Sequence, residues 1–147
     1  MKAFIKKANY SEKIEIVDAD IKYRSEFAKH FLGKDITPQF VALNAERTLF
    51  MAVDEDGLLK ELPFNFFIEM YCPSFAQEQF GMPATSIDTI VGDAVFIKIK
   101  KVNALKEEIW DYEVTDVGAD DYIAIMQLIA TKKQAELFNK YKNNIKR

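Results

Sequence analysis

The sequence predicts an α+β fold, a single domain in which a mostly antiparallel sheet carries an early helix and a long C-terminal helix. Short runs rich in isoleucine, phenylalanine and valine are separated by turn residues, as in antiparallel sheets. Two other stretches repeat their apolar residues every three or four positions, as helices do. The chain of 147 residues contains no Gly/Ser linker, internal repeat or low-complexity tract, so residues 1–147 are assigned to one domain.

A hairpin followed by a helix is predicted at the N-terminal end. The runs KAFIKKA (2–8) and KIEIVDA (13–19) form the two strands, with a polar turn at 9–11. Asp18 or Asp20 is expected to cap the helix that follows, and Gly33 to end it. The helix is indicated by aromatic side chains at four-residue spacing, namely Tyr23, Phe27 and Phe31.

Two more strands, Phe40–Asn44 and Leu49–Val53, are predicted around a turn at 44–47. The acidic segment DEDG (54–57) is predicted to be a turn that closes the second strand. A calcium loop of the EF-hand type is excluded, because it needs ligands at alternating positions over twelve residues and LLKEL follows the glycine directly.

The later part of the chain is predicted to contain two strands and the long helix. The run IDTIVGDAVFIKIKKV (87–102) has the strongest strand pattern, with one dry face and one partly wet face after Val95. IWDYEVTDV (109–117) is a further strand candidate. From Asp120 to about Ile145 a helix is predicted, since acidic residues lie at its start and lysines at its end, as the helix macrodipole favours. Its expected apolar stripe begins with Tyr122, Ile125, Met126 and Ile129.

The stretch PFNFFIEMYCPSFAQEQFGMP (63–83) contains six aromatic side chains and three prolines. The prolines argue against a long helix or a central strand, and the spacing from Phe64 to Tyr71 predicts one or two helical turns. Two interpretations stay open: the aromatics form core, or they form an exposed lobe at the centre of an interface. In the second case acidic neighbours would steer a basic partner. The predicted contact residues are Phe67, Tyr71, Phe75 and Phe80.

The segments LFMAVDEDGLLKELPFNFFI and DTIVGDAVFIKI together resemble a family of small proteins from phages and integrated mobile elements of Gram-positive bacteria. The resemblance covers roughly residues 1–99, with an aromatic insertion near 63–86, and 100–147 form a C-terminal extension with a helix. It implies a phage or mobile-element gene product and brings no activity, cofactor or catalytic residue. The residues that carry it are Gly57, Leu62, Pro63, Asn65, Asp88, Ile90 and Gly92.

The net charge of −3 is unevenly distributed along the chain. Residues 36–93 hold two basic and nine acidic residues, whereas 1–35 and 94–147 each have a net charge of +2. An acidic middle would repel a phosphate backbone, so nucleic acid would have to bind towards the ends. The residues predicted for this alternative function are Lys98, Lys100, Lys101, Lys132 and Lys133.

No catalytic residues, metal ligands or cofactors are predicted. His30 is the only histidine and Cys72 the only cysteine, and no zinc spacing, GxGxxG or GKS/GKT motif is present. No apolar run is long enough to cross a bilayer, and a single cysteine fits a reducing cytoplasm. The sequence therefore predicts a non-enzymatic, cytoplasmic accessory protein of a phage or mobile element. It would act by contact with a host or phage protein, for example as an inhibitor of host defence, or as a homodimer.

Overall fold

The computed structural model describes residues 1–9, 13–71, 77–79, 81, 85–106, 109–130, 133–134, 136–137 and 139–140. The strands are β1 (Lys2–Lys6), β2 (Glu15–Asp18), β3 (Pro38–Ala42), β4 (Leu49–Asp54), β5 (Phe64–Tyr71), β6 (Thr85–Val91), β7 (Ala94–Lys106), β8 (Ile109–Thr115) and β9 (Ile129–Ala130). Among the described residues, the helices with defined bounds are α1 (Arg24–Leu32) and α2 (Ala119–Leu128).

These elements form two antiparallel sheets, which confirms the predicted α+β class. The larger sheet has six strands in the order β2-β1-β7-β4-β3, with β8 paired to the distal half of β7. The smaller sheet has the order β6-β5-β9. The N-terminal hairpin is confirmed by the antiparallel pairing of β1 with β2, and the second predicted strand pair by that of β3 with β4. The strand predicted at IWDYEVT is β8.

The larger sheet is buried on both faces at its centre. On one face Val95 and Ile97 of β7 pack with Phe27 of α1. On the other face Phe96 packs with Phe66 of the smaller sheet, and their ring centroids are 6.1 Å apart. Burying one large apolar side chain stabilises the folded state by about 1.5–3 kcal/mol, so two covered faces provide a sizeable core. The predicted wet face of β7 is therefore dry at Phe96, and its lysines begin only at Lys98.

The first helix is confirmed, but its predicted cap is wrong. The helix begins at Arg24, and its N-cap Tyr23 makes no side-chain capping hydrogen bond. Asp18 cannot cap it because that residue still belongs to β2, where it pairs with Lys2. Gly33 does end the helix, with a φ of 135° that other residues rarely adopt.

The aromatic stretch contradicts the predicted helical turns. Phe64–Tyr71 is strand β5, and it lies in the centre of the smaller sheet between β6 and β9. Pro63 does not prevent this, because it precedes the first strand residue and leaves the ladder donors intact. The residues at three- and four-residue spacing lie on both faces of one strand and not on one face of a helix. Phe66 and Ile68 point to the core, and Phe67 points away from it.

The predicted long C-terminal helix is also wrong, although residues 133–134, 136–137 and 139–140 are helical again and 141–145 lie outside the described residues. Helix α2 has 10 residues and ends at Leu128, because Ile129 and Ala130 leave the helix and pair with Ile68 and Phe67 of β5. Backbone pairing to an open sheet edge replaces the next helical turn. Of the predicted stripe within α2, Ile125 is buried, whereas Tyr122 and Met126 are exposed.

One buried side chain joins the two sheets. The pairing of β5 with β6 skips Asn65, and this bulge accompanies an inward-facing amide. Its Nδ2 donates to the carbonyl oxygens of Lys6 at 2.7 Å and Gly92 at 2.8 Å, and its Oδ1 accepts from the Lys6 ammonium at 2.9 Å. Asn65 therefore links β5 to β1 and to the turn between β6 and β7.

The chain packs tightly around this junction. Gly92 donates its backbone N–H to the carbonyl of Pro63 at 2.7 Å, and its φ is 73°. A β-carbon on Gly92 would lie 2.8 Å from Leu62 Cδ1, and one on Gly57 would lie 3.5 Å from the same atom. The Gly92–Pro63 hydrogen bond and the contact with Leu62 therefore keep the turn after β6 close to the start of β5.

Replacing Asn65 by alanine should lower the free energy of unfolding by about 3 kcal/mol, because two buried carbonyl groups and a buried ammonium lose a partner. Urea denaturation measures this change. The control is Gln39→Ala, which removes an exposed amide from β3 and should change stability by less than about 0.5 kcal/mol. Equal losses in the two variants would contradict the proposed role of Asn65.

Gly92→Ala should destabilise the protein more than Gly81→Ala. Both glycines have positive φ, 73° and 63°, so alanine costs about 1–2 kcal/mol of backbone strain at either site. Only position 92 adds a clash with Leu62, since nothing lies within 4 Å of a β-carbon at Gly81. Thermal and urea denaturation of both variants give the comparison, and a smaller loss at Gly92 would show that the junction is not tightly packed.

Candidate functional site

The predicted aromatic contact residues are only partly placed by the structure. Phe67 is half-buried on the outer face of β5, and its ring centroid lies 4.9 Å from that of the exposed Phe64. Tyr71 ends β5, and its side chain lies outside the described part of the chain, as do Phe75 and Phe80 entirely. Each of the two interpretations therefore applies to part of this strand, since Phe66 is core and Phe64 is surface.

The predicted lysines do not share one surface. Lys98 Nζ lies 3.2 Å from both carboxylate oxygens of Asp121, so its charge is compensated. Lys101 lies on the opposite face of β7 from Lys98 and Lys100, by strand alternation. Lys133 is exposed, and Lys132 lies outside the described residues.

The described residues contain no cluster of histidine, cysteine and carboxylate groups that could hold a metal ion. His30 is exposed on α1, and its ring contacts Phe31 edge to face at 4.7 Å. Cys72, the only cysteine of the sequence, lies outside the described residues.

An apolar groove lies between β2 and α2, on the face of the larger sheet that the smaller sheet covers elsewhere. Its volume is about 610 Å³. The rings of Tyr122 and Phe4 pack edge to face with their centroids 5.6 Å apart, which holds α2 over β1, and no described residue covers the same face of β2. Ile16 is 67% exposed and Ile123 54% exposed as a result. We call this the β2–α2 groove, and its apolar lining is Phe4, Ile14, Ile16, Val117, Tyr122 and Ile123.

The groove runs beside an open sheet edge. In the described part of the chain, β2 pairs with β1 alone and ends the larger sheet. Asp116 and Asp120 flank the groove residues at the start of α2, and Asp116 accepts a hydrogen bond from the backbone N–H of Lys2 at 2.7 Å. The two carboxylates adjoin the lining residues Val117 and Ala119 in the chain, and the lining itself has one charged side chain, Lys2.

The sequence does not predict this groove, because the groove exists only where α2 does not extend over β2. The alternation of Ile14 and Ile16 does predict a shared apolar face for β2. It contains no information about how far α2 extends over that face. Tyr122 and Ile123 would have been the only further sign, since an apolar pair beside the buried Ile125 widens the stripe of α2 beyond one face.

The acidic DEDG segment forms a turn, as predicted. Asp54 accepts hydrogen bonds from the backbone N–H of Asp56 at 2.9 Å and from Lys60 at 2.7 Å. The hydrogen bond from Lys60 is the main reason that the pKa of Asp54 is lowered from its usual 3.8. The carboxylate is thus used to close the turn between β4 and β5.

Three comparisons, with protein-family models, with curated proteins and with solved structures, return no match to this chain. No helix within the described residues has the length and apolar character needed to cross a membrane.

Asp54→Asn should lower the free energy of unfolding near neutral pH and have little effect at about pH 2. The folded-state pKa lies below the usual 3.8, so the ionised group stabilises the protein above that value. The stabilisation is lost as the pH falls through the lowered pKa, where wild type also becomes neutral. Urea denaturation at both pH values measures the effect. A difference between wild type and variant that does not change with pH would contradict this explanation.

Proposed function

We propose that the protein acts without chemistry, by binding another protein whose extended, basic segment docks in the β2–α2 groove. One observation carries the proposal: two exposed isoleucines, Ile16 of β2 and Ile123 of α2, line one groove beside a strand edge that no described strand pairs with. Contiguous apolar surface of this kind usually marks an interaction site.

Strand addition is the binding mode that uses both features of the site. The backbone of an extended segment can pair with the outer edge of β2 and extend the larger sheet by one strand. Every second side chain of that segment would then enter the groove and contact Ile14, Ile16 and Tyr122. Each apolar side chain that becomes fully buried there contributes about 1.5–3 kcal/mol before the cost of ordering the segment.

The charge around the groove favours a basic partner. Asp116 and Asp120 adjoin the lining residues Val117 and Ala119 in the chain, and the whole chain carries a net charge of −3. Lysine or arginine residues in the docked segment would meet these carboxylates at the rim, where charge mainly sets the association rate and the choice of partner. The proposed partner is basic, as the sequence predicts, but the proposed contact surface is the β2–α2 groove and not the aromatic stretch.

The predictions of a phage or mobile-element origin and of inhibition of a host defence system belong to this proposal. An inhibitor that acts by occupying a partner's surface needs an apolar contact site and no catalytic group, and the β2–α2 groove is such a site. Both predictions rest on the resemblance of residues 1–99, which the comparisons neither support nor oppose.

Selection from a displayed library of random peptides tests the proposal. Selected peptides should alternate apolar and basic residues. They should bind an Ile16→Glu/Ile123→Glu variant at least about tenfold more weakly than wild type, because each carboxylate would be buried against apolar side chains. Both residues are exposed in the free protein, so the variant should keep its stability within about 0.5 kcal/mol per site.

A matched control changes two exposed leucines in the turn after β4. Leu58→Glu/Leu59→Glu alters the charge equally but leaves the groove intact, so the peptides should bind it as wild type does. In wild type, peptide binding should shift the amide resonances of Glu15–Asp18. Equal loss of binding in both variants would contradict the proposal. A dimer in solution that the groove substitutions dissociate would also contradict it, since the occupant would then be a second copy.

A further inference from the structure

A second cleft lies on the opposite face of the larger sheet, between the start of α1, the β3–β4 turn and the paired strands β7 and β8. Its volume is about 660 Å³, within the usual range of about 300–1,000 Å³ for small-molecule sites. We call it the cationic cleft, and the lining residues that matter here are Tyr23, Arg24, Arg47, Thr48, Lys101 and Tyr112.

The cleft is positively charged although the chain is acidic. Arg24, Arg47 and Lys101 line it, with Glu46 as the single carboxylate of the lining. Residues 36–93 contain only two cations, Arg47 and Lys60. Lys60 is bound to Asp54 at 2.7 Å, so the remaining cation of that segment is the one placed in the cleft.

Two groups in the cleft are held ready to donate hydrogen bonds. The Arg24 guanidinium lies 4.8 Å from the ring centroid of Phe40 and 4.7 Å from that of Phe50, so its position is fixed by two aromatic faces. The Thr48 hydroxyl oxygen accepts a hydrogen bond from Asn44 Nδ2 at 2.7 Å, which leaves its own proton for another acceptor. A guanidinium fork beside a hydroxyl donor suits the oxygens of a phosphate.

Two exposed tyrosines supply flat apolar surface in the same cleft. Tyr23 is 47% exposed and Tyr112 is 45% exposed. Tyr112 lies directly opposite Lys101 in the pairing of β7 with β8, so an aromatic face and a cation are neighbours across the two strands. Cations that follow a phosphate backbone, combined with aromatic rings on which bases stack, are the features of single-strand binding surfaces.

We propose that the cationic cleft binds a nucleoside phosphate, either as a free nucleotide or as one unit of a single-stranded nucleic acid. The phosphate is bound by Arg24, Arg47 and Lys101, and the base stacks on Tyr23 or Tyr112. This site differs from the lysine set predicted from the sequence, of which it keeps Lys101 and replaces the others by two arginines and two tyrosines. It is independent of the β2–α2 groove, which lies on the other face of the sheet.

Fluorescence anisotropy at low salt tests the proposal with labelled single-stranded DNA and RNA of about eight nucleotides. At least one of Tyr112→Ala and Tyr23→Ala should weaken binding about tenfold, whereas Tyr122→Ala, which changes an exposed tyrosine of α2, should not. Arg47→Glu should weaken binding more than Lys34→Glu, which changes the net charge equally but lies outside the cleft. The affinity of Arg47→Glu should also fall less steeply with salt concentration than that of wild type, because one phosphate contact is lost.

An NMR titration of wild type with a nucleoside monophosphate distinguishes the two sources of the ligand without any variant. If the nucleoside monophosphate shifts only the resonances of Tyr23–Ser25, Glu46–Thr48 and Lys101, the cleft binds a free nucleotide. If only the oligonucleotide shifts these resonances, the ligand is a single-stranded nucleic acid. The proposal is overturned if neither probe shifts these resonances, or if Lys34→Glu weakens binding as much as Arg47→Glu. Ile16→Glu should leave nucleotide binding unchanged, so the two proposals can fail separately.

Discussion

The fold depends on one junction at which the chain passes between the two sheets. Asn65 bonds to β1 and to the turn at Gly92, and Gly92 in turn bonds to Pro63. A buried amide that bonds to two carbonyl groups and an ammonium tolerates little displacement, because each lost bond removes a partner from a buried polar group. The junction therefore sets the position of the smaller sheet on the larger one, and with it the depth of the core around Phe96.

Both candidate surfaces follow from the incomplete cover that this arrangement provides. The smaller sheet and α2 cover the centre of one face of the larger sheet and stop short of β2. On the other face, the nine residues of α1 cover Val95 and Ile97, whereas Lys101 of β7 and Tyr112 of β8 are exposed in the described part of the chain. A six-stranded sheet with short covering elements thus leaves an apolar groove at one edge and a charged cleft at another.

The sequence predicted most elements whose pattern is local and failed where a distant partner decided the structure. The alternation around Val95 depends only on neighbouring residues, and strand β7 forms there as expected. The turn signal before β2 is local in the same way, and β1 pairs with β2 as expected. The segment Phe64–Tyr71 has apolar residues at helical and at strand spacing, and only the edges of β6 and β9 decide for the strand. The same pairing ends α2 at Leu128, although its charge order continues to suit a helix. Tertiary contacts override propensity in both cases.

Charge along the chain is likewise a poor guide to charge in space. The net charge of −7 on residues 36–93 predicts repulsion of nucleic acid only if these residues form one acidic surface. In the fold, Arg47 of that segment lies with Arg24 and Lys101, which come from parts of the chain that are distant in sequence. Screening limits the influence of exposed charges to about 8 Å at physiological ionic strength, so a ligand in the cleft senses these three cations more than the chain average. The site has no sequence motif, since its residues meet only when α1, the β3–β4 turn and β7 are assembled.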